Sequence, residues 1–108
     1  MADEPQPSNL SRPAALKKIR EIADDTSRIV VIPYGKKRIR DRRHQQITRR
    51  QIELCVQRGS IQEGPFLNQH GNWQVNLFRM AAGEELTCVV AIDWPTRVLV
   101  INAFRPGR

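Results

Sequence analysis

The hydrophobic positions of this chain change period once. In the N-terminal half apolar residues recur three and four apart; beyond Gly59 they alternate with polar ones. Ala15, Leu16, Ile19, Ile22 and Ala23 form one helical stripe. Ser11 ahead of it is placed to cap that helix, with Pro13 tolerated in the first turn. Residues 1–9 hold little to bury and read as a disordered tail, and 10–26 as an accessory helical element packed on the core. "RIVVI", 28–32, is short and β-branched and stops at Pro33, which predicts a buried strand. No Gly or Pro interrupts 36–44, which predicts a short helix with Tyr34 and Ile39 against the core. Thr48 and Gln51 spell a capping box, and Ile47 and Ile52 a hydrophobic staple around it. With Cys55 and Val56 completing the stripe and Gly59 fitting the C-cap, a helix over 48–58 follows.

The alternating half divides into four strands, 61–66, 73–80, 86–92 and 97–104, separated by "NQHGN", "AAGEE" and "DWP". Trp73, Val75 and Leu77 share one face of the second. The last two are apolar on both faces, as expected of central strands or of strands that meet a partner. Short connections predict an antiparallel meander. The expected order is α-β-α-α-β-β-β-β. That is an α+β fold with helices packed on one face of a mainly antiparallel sheet of four to five strands, forming a single domain over 27–105.

Charge changes this picture at one place. Residues 36–50, "KKRIRDRRHQQITRR", hold eight of the 18 Lys and Arg residues and one of the 11 Asp and Glu. The stretch carries the whole formal net charge of +7, because ten basic and ten acidic residues balance everywhere else. A one-signed patch on a balanced chain is the footprint of a polyanion partner, nucleic acid first, then an acidic protein or an anionic membrane. The bland alternative is a solvated helical face. Lys36, Lys37, Arg38, Arg40, Arg42, Arg43, Arg49 and Arg50 are the candidate nucleic-acid contacts. The 36–44 helix lacks the Trp, Phe or Leu face of a membrane-surface helix, which ranks that partner last.

The remaining composition narrows the options. No apolar run reaches the ~20 residues of a membrane span. "MADEPQPSNL" has no basic or apolar leader region, so a cytoplasmic location is expected. Cys55 and Cys88 stand alone among apolar neighbours and read as buried reduced thiols. His70 lies in a turn without a Cys, His or Asp cluster, which gives no metal site. There is no Gly-rich phosphate loop, nucleophile elbow or carboxylate pair, and no small-molecule cofactor is implied. Trp73 and Trp94 read as packing residues before base-stacking ones, Tyr34 as a half-buried anchor or a stacking ring, and Asp93 as a turn residue.

Tyr34-Gly35-x-x-Arg38-Ile39-x-x-Arg42, then Ile47-Thr48 opening a helix, Gly59-x-Ile61, and a meander ending in "VLVINAF" resemble a domain-of-unknown-function family grouped with the RelE/ParE-like toxins. The resemblance spans about residues 28–104 and rests more on element order than on identities. Tyr34 stands where that family often carries His, and residues 44–46 read as an insertion. The resemblance implies a RelE-like fold and an RNA- or ribosome-directed protein. A metal-independent mRNA endonuclease of this kind would have an acidic antitoxin partner. Such cleavage needs a base for the 2′-hydroxyl, cations for the crowded phosphate and an acid for the leaving oxygen. Arg38, Arg42, His44 and Arg79 are the residues that could serve, with Lys36 beside them. Arg38 and Arg42, four apart, could grip successive phosphates, or their stems could simply cover the sheet. Arg79 shares the face of Trp73, Val75 and Leu77 by strict alternation. It must snorkel at the strand end, follow a bulge near Leu77-Phe78, or face a site. The rival expectation is a non-catalytic module that docks nucleic acid or an acidic protein through the same basic helix.

Overall fold

The computed structural model describes residues 4–41 and 46–107, with the backbone alone at Asp41. The elements follow the expected order: α1 (Arg12–Ala23), β1 (Ile29–Val31), α2 (Pro33–Asp41), α3 (Arg49–Arg58), β2 (Ser60–Leu67), β3 (Trp73–Ala81), β4 (Glu84–Asp93) and β5 (Arg97–Phe104). A 3₁₀ turn, Thr26–Arg28, precedes β1. The five strands form one sheet in the order β1-β5-β4-β3-β2. β1 runs parallel to β5 and every other pair is antiparallel. The class is α+β.

Local chemistry accounts for the helix ends. Ser11 accepts from Ala14 N and starts α1. Thr48 accepts from Gln51 N while the Gln51 side chain accepts from Thr48 N, so both halves of the capping box of α3 are made. Gly59 caps α3 with an extended backbone, φ −71°, rather than the left-handed conformation usual for a C-terminal glycine. Space, not a left-handed φ, is what calls for glycine: a Cβ there would lie 2.5 Å from the Cys55 carbonyl oxygen. α2 begins three residues earlier than its charge pattern suggests, because Pro33 suits a first helical turn.

α1 and α3 pack side by side over the sheet. Ala15, Ile19, Ile22 and Ala23 of α1 and Ile52, Cys55 and Val56 of α3 meet Val75, Leu77, Cys88, Val90, Val98 and Val100 in one core. With four buried residues, α1 is part of that core. Arg20 donates to Gly59 O and Gln57 to Ala23 O, which ties the two helices together. Residues 4–10 have no regular structure, but they are bonded rather than loose. Pro7 O accepts the Trp73 indole N–H, Gln6 donates to Gly71 O, and Glu4 accepts from Lys18 and from the Trp94 indole. The indole N–H donors need acceptors when their rings pack, and this segment supplies them.

β5 contains one extra residue. Val90 pairs with Val100 and Val89 with Asn102, which leaves Ile101 as a bulge. The bulge keeps Val98, Val100 and Ala103 all on the core side. α2 packs against this part of β5 through Gly35, where a Cβ would come within 2.6 Å of Val100 O and 2.8 Å of Ile101 O. At the opposite edge Arg12 donates to the Gln62 and Gly64 carbonyls of β2, filling acceptors that an edge strand leaves open.

Candidate nucleic-acid interface

α2 carries Lys36, Lys37, Arg38 and Arg40 on a helix anchored by Gly35 and Ile39. Lys36, Lys37 and Arg40 are exposed. Apart from Asp41 of the same helix, whose side chain lies outside the described atoms, no described carboxylate lies within ion-pair distance of any of the four. Lys36 and Arg40, four apart, flank a cavity of about 320 Å³ together with Arg49, over a floor that includes Ile39, Ile47 and Ile52. Arg38 differs from its neighbours. Its Nη1 donates to the Tyr34 hydroxyl, its guanidinium carbon lies 5.3 Å from the Tyr34 ring centroid, and its buried Nε has no hydrogen-bond partner. Tyr34 is 57 % exposed and so does not anchor α2 in the core; Gly35 and Ile39 do. Arg42, Arg43 and His44 lie outside the described residues.

The two arginines that open α3 serve different ends. Arg49 donates to Ile29 O at 2.7 Å, to Thr26 O at 3.0 Å and to Glu53 at 3.0 Å. Its fork latches α3 to the start of β1, a structural role that leaves little of it for a phosphate. Arg50 is exposed and reaches Glu53 at 3.3 Å. These donors, Arg49 first, hold the Glu53 carboxyl below its ordinary value.

Arg79 occupies a second place. β3 and β4 pair without interruption from Trp73↔Ile92 to Ala81↔Glu84, so no bulge redirects it. It stands on the core side at the strand end, half-buried, lining a cleft of about 400 Å³ with Gln51, Glu84, Leu86 and Arg105. Arg105 is 7 % exposed and bonded to Glu84 at 2.6 Å and to Gln46 O. Nothing local in the sequence marks it, because "FRPG" after an apolar strand looks like a solvated end. Only the fold shows it to be a buried cation. This cleft is built without Arg38, so the structure does not gather the two described members of the expected catalytic set in one cavity.

Cys55 and Cys88 are buried free thiols on facing elements, α3 and β4. The Cys55 sulfur lies 3.7 Å from Leu77 O and Leu86 O. Its hydrogen bond with Cys88, together with burial, pushes the Cys88 thiol well above its ordinary value. Among the described residues no group of three or more His, Cys, Asp or Glu could hold a metal ion. No described helix is long and apolar enough to cross a membrane.

Comparison with protein-family models, curated proteins and solved structures finds no match to this chain.

Proposed function

We propose that this protein binds RNA through α2 as a small RelE-like domain in the cytoplasm. The observation that carries the reading is the exposed set Lys36, Lys37 and Arg40, which no described carboxylate from outside α2 pairs, on a chain whose charge elsewhere is balanced. Glu4, Glu53, Glu84 and Asp93 each pair with a nearby cation, yet no described carboxylate from another element pairs with α2. A cationic face held open at the cost of self-repulsion suits a polyanion.

The test is affinity for RNA as a function of salt. Each phosphate contact contributes roughly −0.7 to the slope of log affinity on log salt for a single strand. Substituting Lys36, Lys37 and Arg40 by Ala should weaken binding across all RNA sequences and reduce the slope by about 2. A salt-independent affinity, or a triple variant that binds as tightly as the wild type, would remove the reading. Binding of an acidic protein alone would favour the non-catalytic docking module.

A second reading is favoured by one observation, Arg79 beside the buried Arg105–Glu84 pair around a cleft. Arg105 is engaged by Glu84 and Gln46 O, so Arg79 is the guanidinium this half-buried site offers to a phosphate that gains charge. In that reading the 2′-hydroxyl gives its proton to water as its oxygen attacks phosphorus, the bond to the 5′-oxygen breaks, and the 5′-oxygen takes a proton from water. The products would be a 2′,3′-cyclic phosphate and a 5′-hydroxyl. Ribosome-bound messages would be the substrate, and an acidic antitoxin would cover the cationic surface. Induced expression should then arrest growth, with Arg79→Ala relieving it. Normal growth with intact messages leaves the binding module.

A further inference from the structure

The geometry points to a pocket for one unstacked base of a single-stranded RNA, formed by Tyr34, Gln74 and His70 over Ile32 and Ile101. The inference rests on the RNA-binding reading above and specifies which kind of RNA α2 engages.

The pocket encloses about 350 Å³ between the start of α2, the Ile101 bulge of β5 and the β2–β3 turn. That falls within the ~300–1,000 Å³ of small-ligand sites. Its composition matches a base in three respects. Ile32 and Ile101 give it an apolar floor. Tyr34 gives it an aromatic wall that is 57 % exposed, an unusual position for a large ring with no structural duty in the core. Arg38 lies against that ring and donates to its hydroxyl, which fixes the rotamer before any ligand arrives. A pre-set ring loses less freedom on stacking.

The polar rim supplies edge recognition. Gln74 Oε1 accepts from Asn68 Nδ2 at 3.1 Å, so its orientation is set while its Nε2 donor stays unspent among the described residues. Asn68 is itself occupied, accepting from the backbone N–H groups of His70 and Asn72. No hydrogen bond among the described residues engages the Gln69 amide or the His70 imidazole, and both line the pocket. Donors and acceptors around an apolar, aromatic slot are what a splayed-out base requires, and a duplex cannot offer one.

The phosphate partners are adjacent. Lys37 follows Tyr34 by three residues, just under one turn of α2 and about 4.5 Å along the axis. A base held by Tyr34 therefore delivers its own backbone to the exposed lysines. Neither half would suffice alone: the pocket lacks charge, and the lysines cannot tell single from double strands.

Binding of a short single-stranded RNA and of the duplex of the same sequence, followed by fluorescence anisotropy at one salt concentration, decides the matter. The wild type should prefer the single strand. Tyr34→Ala should weaken single-strand binding roughly tenfold, the scale of a base–aromatic stack, and leave the duplex unaffected. Tyr34→Phe should stay within about twofold of wild type. Gln74→Ala should change the preference among homopolymeric single strands. Circular dichroism confirms the fold of each variant, and the exposure of Tyr34 makes loss of fold unexpected. If Tyr34→Ala and Gln74→Ala are both silent while the Lys36/Lys37/Arg40 variant is weakened, the pocket is refuted and the cationic surface stands. Equal losses on both RNA forms refute it too, since the ring would then act only by placing Arg38. A wild type that binds neither RNA removes both readings together.

Discussion

Ala82 has φ 54° and Gly83 φ 76°, so the two residues between β3 and β4 form a turn with both central residues left-handed. That geometry matches the twist of a hairpin, but it favours Asn or Gly at the first position over Ala. Ala82→Asn should raise stability by about 0.5–1 kcal/mol, seen as a higher urea midpoint at unchanged slope. A lower midpoint would mean the turn is not held as described. The arginines that open α3 allow a sharper contrast. Arg49→Ala removes bonds to the Thr26 and Ile29 carbonyls and should cost about 1–3 kcal/mol of stability. Arg50→Ala should change stability by no more than about 0.5 kcal/mol. Two adjacent residues with one chemistry are indistinguishable in the sequence. Which of them reaches β1 depends on where that strand lies.

At the scale of elements, α3 and α2 contrast in how they are specified. α3 was legible almost to the residue, because capping box, staple and stripe are all local and agree with one another. Its acid sensitivity is also local. The Glu53 carboxyl sits below its ordinary value of 4.5, chiefly through the hydrogen bond from Arg49. A carboxyl depressed in the folded state contributes stability above its unfolded value, and that contribution is lost as pH falls through the folded one. Urea midpoints should therefore fall as pH drops below 4.5, and less steeply in Glu53→Gln. Asp25, held down by its hydrogen bonds to Ser27, retains part of the slope in that variant. α2 is specified differently. Its charge pattern favours a helix, but its position depends on Gly35 touching the β5 backbone. Gly35→Ala would place a methyl group 2.6 Å from Val100 O and should cost about 1–3 kcal/mol. Because the lesion separates α2 from β5, RNA affinity should fall with it. Unchanged stability would show that α2 can shift without penalty.

At the scale of the whole molecule, the N-terminal segment crosses from Lys18 and Trp94 to Trp73 and the Gly71 turn. Deleting residues 1–8 should lower stability by about 1–3 kcal/mol and shift tryptophan emission to the red, as both indoles lose their acceptors. Emission and midpoint equal to wild type would make the segment dispensable. The sequence by itself determined the element order, the α+β class, the capped helix α3 and the concentration of charge in 36–50. These are set by neighbours a few residues apart, where periodicity and capping act. The tertiary structure alone decided that β1 joins β5 in parallel, that Ile101 bulges, that Arg49 is a latch and that Arg105 is a buried cation facing Arg79. It also decided that Tyr34 stands outside the core, beside Gln74 and His70. Each of these follows from contacts between segments distant in the chain. Such contacts become available only after the local elements have formed and the hydrophobic faces have packed.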